Sequence, residues 1–520
     1  MGTYINPGNA GFERILQKRY VDKTGLIALV NDVVNSAEAF VCVARPRRFG
    51  KSFAAQSLVA YYCYGCDSRA LFEGLEISRD PSFEKHLNAY HVVRLDMTAF
   101  TGKVGPDVVP ELRRALHKEL LDEFDCVKPD SDLEEAFLQV VRATDRRFVF
   151  VIDEWDAPFR DASRDEAAQE NYVRFLRLLF KNANFTPEAV AAAYITGILP
   201  IKRYGTQSAM TDFDEYTMVR PLRFAPYVGF TEDEVVELSN EYGMDLDDMR
   251  RWYDGYELAR VGHVFAPFSV MKACNNGEVG SYWTSSETFE MLRFHIDMDF
   301  DGLQGDIVRA LGGDEISVEP GMFQNDMRVV NNKDDALTLL IHLGYLAYNQ
   351  QTRKARIPNE EVRAEFRNAL SASHHTEIAR IVRESESLLN ALIAGDEETV
   401  AQGVSRAHDE GCSPLHYNNE QSLRAVMKAA LIAAADDYAR IEELPSGHGY
   451  ADIAYVPRHG SPKPALVVEL KWNDTAESAI DHILANDYPA FLRNLDVPIV
   501  LAAVTYDAKT KAHTCRIVRV

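Results

Sequence analysis

Three groups of residues have the types and spacing to do chemistry on phosphate. The first is Gly50, Lys51 and Ser52, near the end of FVCVARPRRFGKSFAAQSL, residues 40–58. If this stretch begins as a strand and ends as a helix, backbone N–H groups and the positive end of the helix dipole face a bound phosphate. Lys51 would then reach the outer phosphates of a nucleotide, and the Ser52 hydroxyl would bind Mg²⁺. The spacing therefore predicts a phosphate-binding loop.

The first position of this loop departs from the usual glycine-rich pattern. Arg45 stands where a phosphate loop normally has glycine, and Pro46 restricts the backbone further. We expect the next residues, Arg47, Arg48 and Phe49, to help bind the nucleotide, although the two arginines could equally be solvated surface charges. Because Gly-Lys-Ser alone can also simply begin a helix, the loop needs support from elsewhere in the chain.

That support comes from RFVFVIDEWDAP, residues 147–158, an apolar run that ends in Asp153 and Glu154. In phosphate-loop enzymes the first acid helps to hold Mg²⁺, and the second can polarise water for attack on the γ-phosphate. We therefore expect ATP and Mg²⁺ as ligands, with Asp153 and Ser52 at the metal and Glu154 as a catalytic residue. Thr196, which ends the next apolar run, is placed to sense the γ-phosphate, although a helix cap is the alternative.

The third group lies near the C-terminus, in GYADIAYVP and ALVVELKW. Asp452 and Glu469 are 17 residues apart, and Glu469 and Lys471 share one face of a strand. A hairpin would bring all three together, and two carboxylates suit Mg²⁺, which with a lysine can promote attack of water on a phosphodiester. We assign all three as catalytic residues, with Asp452 and Glu469 as metal ligands; an ion pair on an edge strand is the alternative.

The order of apolar runs predicts the elements that position these groups. AFVCVA, HVVRLDM, RFVFVID and AVAAAYITG alternate with amphipathic segments, which indicates an α/β domain with a buried parallel sheet, residues 1–225. Residues 226–400 are acidic and helical in pattern, and we interpret them as a lid and connector in which Thr231 and Glu234 form a capping box. Residues 401–520 follow the order αββαβ of an α+β domain, and begin with a long helix over residues 420–444.

Composition limits the class of protein. With 46% hydrophobic and 26% charged residues in 520, the chain is typical of a globular protein of two or three domains. No apolar stretch of the sequence has membrane-spanning length, and its first residues lack the basic and apolar regions typical of a secretory leader. Its seven cysteines follow no regular spacing. We therefore expect reduced thiols in the cytoplasm and no membrane partner. The net charge of −23 argues against a broad non-specific grip on nucleic acid, but does not exclude a local basic groove.

Six segments in this order give the sequence a recognisable pattern: RYVDKTGLI (19–27), ARPRRFGKSF (44–53), VIDEWDAP (151–158), YITGILPI (194–201), VGFTEDEV (228–235) and WYDGY (252–256). The pattern resembles a bacterial AAA-ATPase-like family whose members carry a C-terminal PD-(D/E)XK nuclease-like domain. The resemblance implies a P-loop NTPase domain whose usual loop is RPRRFGKS, so Arg45 no longer counts against ATP. It also implies that Asp22 and Lys23 belong to an N-terminal element of the family.

For the C-terminal domain the resemblance implies a restriction-endonuclease-like fold, in which Glu420 could supply a further acid. Two departures bear on catalysis: Ala451 rather than proline precedes Asp452, and His482 stands where relatives often have glutamine. The leading hypothesis is an ATP-hydrolysing protein whose nucleotide state controls a Mg²⁺-dependent nuclease acting on DNA or RNA. The alternative is an ATP-switched protein that binds nucleic acid or protein without cutting it. A homo-oligomer is compatible with either.

Overall fold

The computed structural model describes residues 2–105, 107–161, 165–201, 210, 212–259, 261–283, 302–323, 330, 332–372, 377–411, 419–446, 449–458, 461–485, 492 and 497–520. The chain divides into two compact units, Met1–Thr288 with Ser317–Val362, and Phe289–Ile316 with Arg363–Val520. The three-part division at residues 225 and 400 stays a prediction. Among the described helices, none is both long enough and apolar enough to cross a membrane.

The helices are α1 (Ala10–Leu16), α2 (Gly25–Asn31), α3 (Lys51–Tyr62), α4 (Arg69–Phe72), α5 (Phe83–His86), α6 (Met97–Val104), α7 (Val109–Glu123), α8 (Leu133–Thr144), α9 (Ala157–Asp161), α10 (Glu166–Phe180), α11 (Thr186–Ala189), α12 (Glu232–Tyr242), α13 (Leu246–Tyr253), α14 (Pro267–Asn276), α15 (Leu303–Leu311), α16 (Lys333–Leu343), α17 (Glu360–Ala372), α18 (Glu377–Ala394), α19 (Glu397–Gly411), α20 (Glu420–Ala430) and α21 (Ala476–Ala485).

The strands are β1 (Phe40–Ala44), β2 (His91–Asp96), β3 (Phe148–Asp153), β4 (Val190–Gly197), β5 (Asp214–Tyr216), β6 (Phe230–Thr231), β7 (Tyr256–Leu258), β8 (Gly262–Phe265), β9 (Ile316–Ser317), β10 (Ala347–Asn349), β11 (Lys354–Arg356), β12 (Tyr438–Ser446), β13 (Gly449–Pro457), β14 (Ala465–Trp472), β15 (Ile499–Asp507) and β16 (Ala512–Arg519).

A parallel sheet organises the N-terminal part of the first unit, in the order β2-β3-β4-β1-β5. Every residue of β3 and β4 is buried, which confirms the parallel α/β sheet predicted from the near-continuous apolar runs. Leucines of α7 and aromatic residues of α8 and α10 pack against these strands in one core. Because β4 lies between β1 and β3, the ends of the loop strand and the acid strand flank a crevice at the carboxyl edge of the sheet.

The segment predicted to be a helical lid and connector contains short strands as well as helices. β6, β8 and β7 form a small antiparallel sheet, and β10 and β11 pair as a hairpin. Strands of two to four residues are too short to show an alternating pattern, so the sequence indicated only the helices. The expected capping box at the start of α12 is confirmed: the Thr231 side chain accepts a hydrogen bond from the Glu234 backbone N–H, and the Glu234 side chain accepts one from the Thr231 backbone N–H.

The second unit contains a five-stranded mixed sheet in the order β12-β13-β14-β15-β16. β14 and β15 are parallel, and the other neighbours are antiparallel. The long helix predicted over residues 420–444 is wrong, since α20 ends at Ala430 and Tyr438–Ser446 forms β12. An eight-pair ladder between β12 and β13 overrides the local helical pattern. The second helix of the predicted αββαβ order is α21, which lies between β14 and β15.

Candidate functional site

The predicted phosphate-binding loop runs from the end of β1 to the start of α3. Gly50 is the N-cap residue, with φ +83°, a left-handed conformation that strains any residue except glycine. Lys51 and Ser52 form the first turn of α3, where backbone N–H groups have no partner within the helix. A twelve-residue helix therefore points its positive end into the crevice beside β4, which is the geometry of an anion site.

The two acids after β3 reach this loop. The Lys51 Nζ donates to the Pro46 carbonyl oxygen over 2.9 Å and lies 3.5 Å from Glu154 Oε1. The other carboxylate oxygen of Glu154, Oε2, accepts a hydrogen bond from Arg160 over 2.7 Å. Burial acts to raise the pKa of Glu154, but Lys51, Arg160 and Arg47 together lower it to about 2. Glu154 is thus an ionised carboxylate held between two cations.

Asp153 is buried beside Ser52. Burial raises the pKa of Asp153 to about 6, against the opposing effect of a hydrogen bond from the Ser52 hydroxyl. A buried carboxylate next to a hydroxyl at a phosphate loop has the hard oxygen donors that Mg²⁺ takes when phosphate oxygens complete its shell. Within the described residues no cluster of three or more His, Cys, Asp or Glu side chains is arranged to hold a metal. The Asp153 carboxylate and the Ser52 hydroxyl fit a metal that arrives with phosphate.

The backbone after β3 fixes where Glu154 points. Glu154 itself has φ +51°, and the next residue, Trp155, donates its backbone N–H to the Thr196 carbonyl oxygen over 2.9 Å. A non-glycine residue in this conformation is uncommon. The chain therefore turns sharply across the end of β4 and leaves the Glu154 carboxylate facing Lys51.

Thr196 lies opposite Val43 in the pairing of β1 and β4 and is completely buried. Its hydroxyl has no hydrogen-bond partner among the described residues. Thr196 is not among the described residues that line the cavity in front of the loop, so its role in sensing phosphate stays a prediction.

Arg45 explains the departure from a glycine-rich loop. It is 0% exposed, and its Nη1 donates to the carbonyl oxygens of Ala44 and Tyr216 over 3.0 and 3.1 Å. Burial lowers the pKa of Arg45 to about 10, which leaves the side chain charged at neutral pH. The arginine therefore turns inward and ties the start of the loop to β5, while the phosphate side of the loop is formed by the residues after it.

The other loop side chains anchor the segments that follow the sheet. The Phe49 ring packs edge-on against Tyr256, with centroids 5.3 Å apart. Arg48, which has φ +72°, lies 4.6 Å above the Phe268 ring and donates to the Tyr282 carbonyl oxygen. Pro46 packs so closely against Gly344 that a Cβ there would lie 2.8 Å from the proline ring. These contacts join the loop to the segments that follow the sheet.

A cavity of about 990 Å³ opens in front of the loop. Its walls include the phosphate loop, Glu154, Arg160 and a set of apolar and aromatic side chains, among them Tyr20, Val21, Phe53, Phe230, Phe268 and Met271. Among the described lining residues cations outnumber acids, since Glu154 is the one carboxylate and Lys18, Arg19, Lys23, Arg47, Arg48, Lys51, Arg160 and Lys272 are all present. The cavity therefore suits a ligand that has both anionic and apolar groups.

Lys23, for which the sequence suggested no role, forms one wall of this cavity. Its Nζ donates to Glu234 Oε2 over 2.6 Å and to the Pro226 carbonyl oxygen over 2.7 Å, and it lies 5.8 Å from the Phe230 ring centroid. The RYVDKTGLI and VGFTEDEV segments are therefore two halves of one contact. From sequence, only the covariation of these distant positions across many related proteins could have revealed this contact.

The C-terminal residues also come together. The pairing of Ile453 with Val468 in the β13–β14 hairpin places Asp452 beside Glu469, and the Lys471 Nζ donates to Glu469 Oε1 over 2.9 Å. The His482 Nδ1 lies 3.2 Å from the same oxygen. Burial raises the pKa of Glu469, and Asp452 adds to this effect, while Lys471 opposes it.

The two carboxylates of this cluster differ in how they are satisfied. Glu469 is 2% exposed, and its Oε2 has no hydrogen-bond partner within the described part of the chain. Asp452 uses both oxygens, one bonded to Arg424 and the other accepting from the Leu470 backbone N–H over 2.8 Å. Sequence reasoning missed Arg424, which also pairs with Glu443 over 3.0 Å. The cluster offers one open oxygen for a cation and one carboxylate already neutralised.

Comparison with known proteins bears on the N-terminal region. Residues 8–206 match a family model named AAA-ATPase_like and described as a predicted AAA-ATPase. This region is an AAA-ATPase-like domain. The match spans the phosphate loop, the acid strand β3 and Thr196, all of which lie in the AAA-ATPase-like domain.

Three further proteins are similar to the chain. An uncharacterized protein in the vnfD 5′ region of Azotobacter chroococcum mcd 1 is 25% identical over 400 residues, which cover 72% of this chain and 71% of that protein. The Walker-type ATPase PABY2304 of Pyrococcus abyssi aligns with a TM-score of 0.35 and 12% identity over 66% of this chain and 94% of that one. The Aeropyrum pernix ORC2 protein aligns with a TM-score of 0.30 and 11% identity over 69% and 98%.

Proposed function

We propose that the AAA-ATPase-like domain binds ATP with Mg²⁺ and hydrolyses it. The observation that carries this proposal is the meeting of Lys51, at the start of α3, with Glu154, at the end of β3, inside a cavity rich in cations. A helix start, a lysine and a carboxylate on neighbouring elements are the parts that phosphoryl transfer to water requires.

The cavity suggests how ATP lies. The β- and γ-phosphates would occupy the start of α3 and contact Lys51, with Ser52 and Asp153 at the metal. Mg²⁺ would neutralise charge on the phosphates while the γ-phosphoryl group is transferred. The ring of Phe53 lines the cavity and is 54% exposed, so it could stack on a base, whereas the Phe268 ring, also in the lining, already has Arg48 and Lys272 over it. In this arrangement Glu154 would hold the attacking water and accept its proton.

ATP turnover and ATP affinity separate these roles. Lys51→Ala should abolish both, and Glu154→Gln should bind a fluorescent ATP analogue normally while losing turnover by about a hundredfold or more. Lys118→Ala is the matched control, because Lys118 is an exposed lysine of α7 that pairs only with Asp122 among the described residues. If wild-type protein neither binds nor hydrolyses ATP with Mg²⁺, the proposal is wrong.

The second candidate is a nuclease in the C-terminal domain. The specific observation that favours it is the buried, unpartnered oxygen of Glu469 beside Asp452 and Lys471, since such an oxygen suits a divalent cation. The Arg424–Asp452 pair opposes it, because Arg424 occupies an oxygen that a metal would need. If Arg424 does not leave, the domain is a binding module, and the protein is the ATP-switched binding protein of the alternative hypothesis.

A nuclease assay distinguishes these two outcomes. Single-stranded, duplex and branched DNA and RNA are incubated with Mg²⁺ or Mn²⁺, with and without ATP. Asp452→Ala and Lys471→Ala should abolish cleavage and retain ATP turnover, whereas Glu443→Ala, which removes only the exposed partner of Arg424, should cleave normally. Clear ATP turnover without cleavage of any substrate supports the binding module instead.

A further inference from the structure

Arg160 has a position in the AAA-ATPase-like domain that the sequence did not suggest. It lies on α9, six residues after Glu154, and lines the same cavity as Lys51. Its side chain is 11% exposed, and its Nη2 contacts Glu154 Oε2 over 2.7 Å. A largely buried arginine that faces the catalytic carboxylate is a candidate for contact with the ligand itself.

A second acid, Asp156, lies beside this arginine. The Arg160 Nη1 lies 3.6 Å from Asp156 Oδ1, and Asp156 Oδ2 accepts hydrogen bonds from the backbone N–H groups of Ile198 and Leu199 over 3.2 and 3.0 Å. Asp156 is 1% exposed and is therefore held by the backbone that follows β4. Asp156 is therefore a second, firmly held neighbour of opposite charge, which attracts the guanidinium and keeps it near its present position when the contact with Glu154 is exchanged for another.

Glu154 is now the shared partner of two cations. Lys51 and Arg160 approach its two oxygens from 3.5 and 2.7 Å. A triphosphate bound at the start of α3 would bring more negative charge to the same space than one carboxylate does, and this charge would attract both cations. The nucleotide would therefore compete with Glu154 for Lys51 and Arg160.

We propose that Arg160 is a catalytic residue of the ATPase, which contacts the γ-phosphate from within the same chain and in doing so releases Glu154. This inference rests on the proposed function. Without nucleotide, Arg160 holds Glu154; with ATP, Arg160 turns to the γ-phosphate and stabilises its charge in the transition state, and Glu154 is free to hold the water. No arginine from a second copy is needed for this step.

The reaction then balances as follows. The oxygen of water forms a bond to the γ-phosphorus, and one proton of that water passes to the Glu154 carboxylate. The bond between the γ-phosphorus and the bridging oxygen breaks, and its electron pair stays on that oxygen as part of ADP. Arg160 donates hydrogen bonds to the γ-phosphoryl oxygens throughout, and phosphate and ADP leave.

The first test is steady-state turnover of ATP by Arg160→Ala and Arg160→Lys. We expect Arg160→Ala to lower kcat about a hundredfold to a thousandfold, with ATP analogue affinity changed less than about tenfold, and Arg160→Lys to recover part of the loss. Arg142→Ala is the matched control, since this exposed arginine of α8 pairs with Glu135 and Glu188 on the surface. Thermal unfolding of each variant checks that it is folded. If Arg160→Ala is unfolded, the turnover of ATP by Arg160→Lys decides the test instead.

The second test asks whether the arginine acts within one chain. Lys51→Ala and Arg160→Ala proteins are mixed: an arginine supplied between copies would restore turnover, and one supplied within the chain would not. We expect no restoration, and specific activity independent of protein concentration. If Arg160→Ala turns over ATP at the wild-type rate, or if the mixture regains turnover, this inference is wrong and the proposed function stands. Absence of ATP turnover in wild-type protein refutes the proposed function and this inference with it.

Discussion

Arg45→Gly gives the loop the glycine that phosphate loops usually carry, and the structure predicts that it damages the protein. Arg45 is completely buried and donates to the carbonyl oxygens of Ala44 and Tyr216. Hydrogen bonds from a charged donor contribute about 1.5–3 kcal/mol each, so the two together contribute about 3–6 kcal/mol. Glycine would also leave a cavity and loosen the backbone.

An opposing effect reduces this loss. The Nε and Nη2 groups of Arg45 have no hydrogen-bond partner within the described part of the chain, so its removal relieves part of the free energy of burying a charge. We therefore expect the free energy of unfolding to fall by about 2–4 kcal/mol in all. Because the side chain turns away from the cavity, affinity for ATP should not rise.

Arg47→Gly is the matched control, because it makes the same exchange two residues later. Arg47 lines the cavity and lies close enough to Glu154 to lower its pKa, so this variant should weaken ATP binding while the free energy of unfolding changes by less than about 1 kcal/mol. Urea unfolding and titration with a fluorescent ATP analogue measure the two quantities. If Arg45→Gly binds ATP more tightly and unfolds at the same urea concentration as wild type, the role assigned to Arg45 is wrong.

Three further predictions follow from single contacts. Lys23→Met should lower the free energy of unfolding by about 2–3 kcal/mol, because it leaves the half-buried Glu234 carboxylate without its cation. Lys118→Met removes one partner of an exposed ion pair, and in urea unfolding it should change the same free energy by less than about 0.5 kcal/mol. Gly255→Ala should reduce stability by about 2–4 kcal/mol in the same assay, since its φ is +116° and its Cβ would lie 2.1 Å from the Pro358 carbonyl oxygen. Burial, with a smaller effect of Arg45, lowers the pKa of His342 to about 3, so as pH falls the unfolded chain takes up a proton before the folded protein does. The free energy of unfolding should therefore drop by about 1.4 kcal/mol per pH unit below about pH 6.5. His342→Gln should show a shallower drop. Equal slopes for wild type and His342→Gln would contradict the last of these.

The sequence indicates which reactive residues meet most clearly where those residues lie on elements that are adjacent in the chain. A strand, a Gly-Lys-Ser turn and a helix are adjacent in the chain, so their geometry follows from a few residues. The same holds for Asp452 and Glu469, which a hairpin brings together. Arg160 and Arg424 gave no such signal, because an arginine on a short helix or an amphipathic helix is usually a surface charge.

The long helix predicted over residues 420–444 shows the limit of local patterns. The residues of β12 carry a helical pattern, yet pairing with β13 across the sheet decides their conformation. Since ladder hydrogen bonds and burial come from distant residues, a window of the sequence cannot weigh them.

By itself the sequence determined the chemistry available to this protein: a lysine and a hydroxyl at a helix start, two acids after a buried strand, and two carboxylates with a lysine near the C-terminus. Tertiary structure alone decided the partners of these groups. It turned Arg45 into the core, joined Lys23 to Glu234, set Glu154 between Lys51 and Arg160, and placed Arg424 on Asp452. The physical reason is that the energy of a charge depends on its burial and on neighbours within a few ångströms, which the fold brings together from positions far apart in the chain.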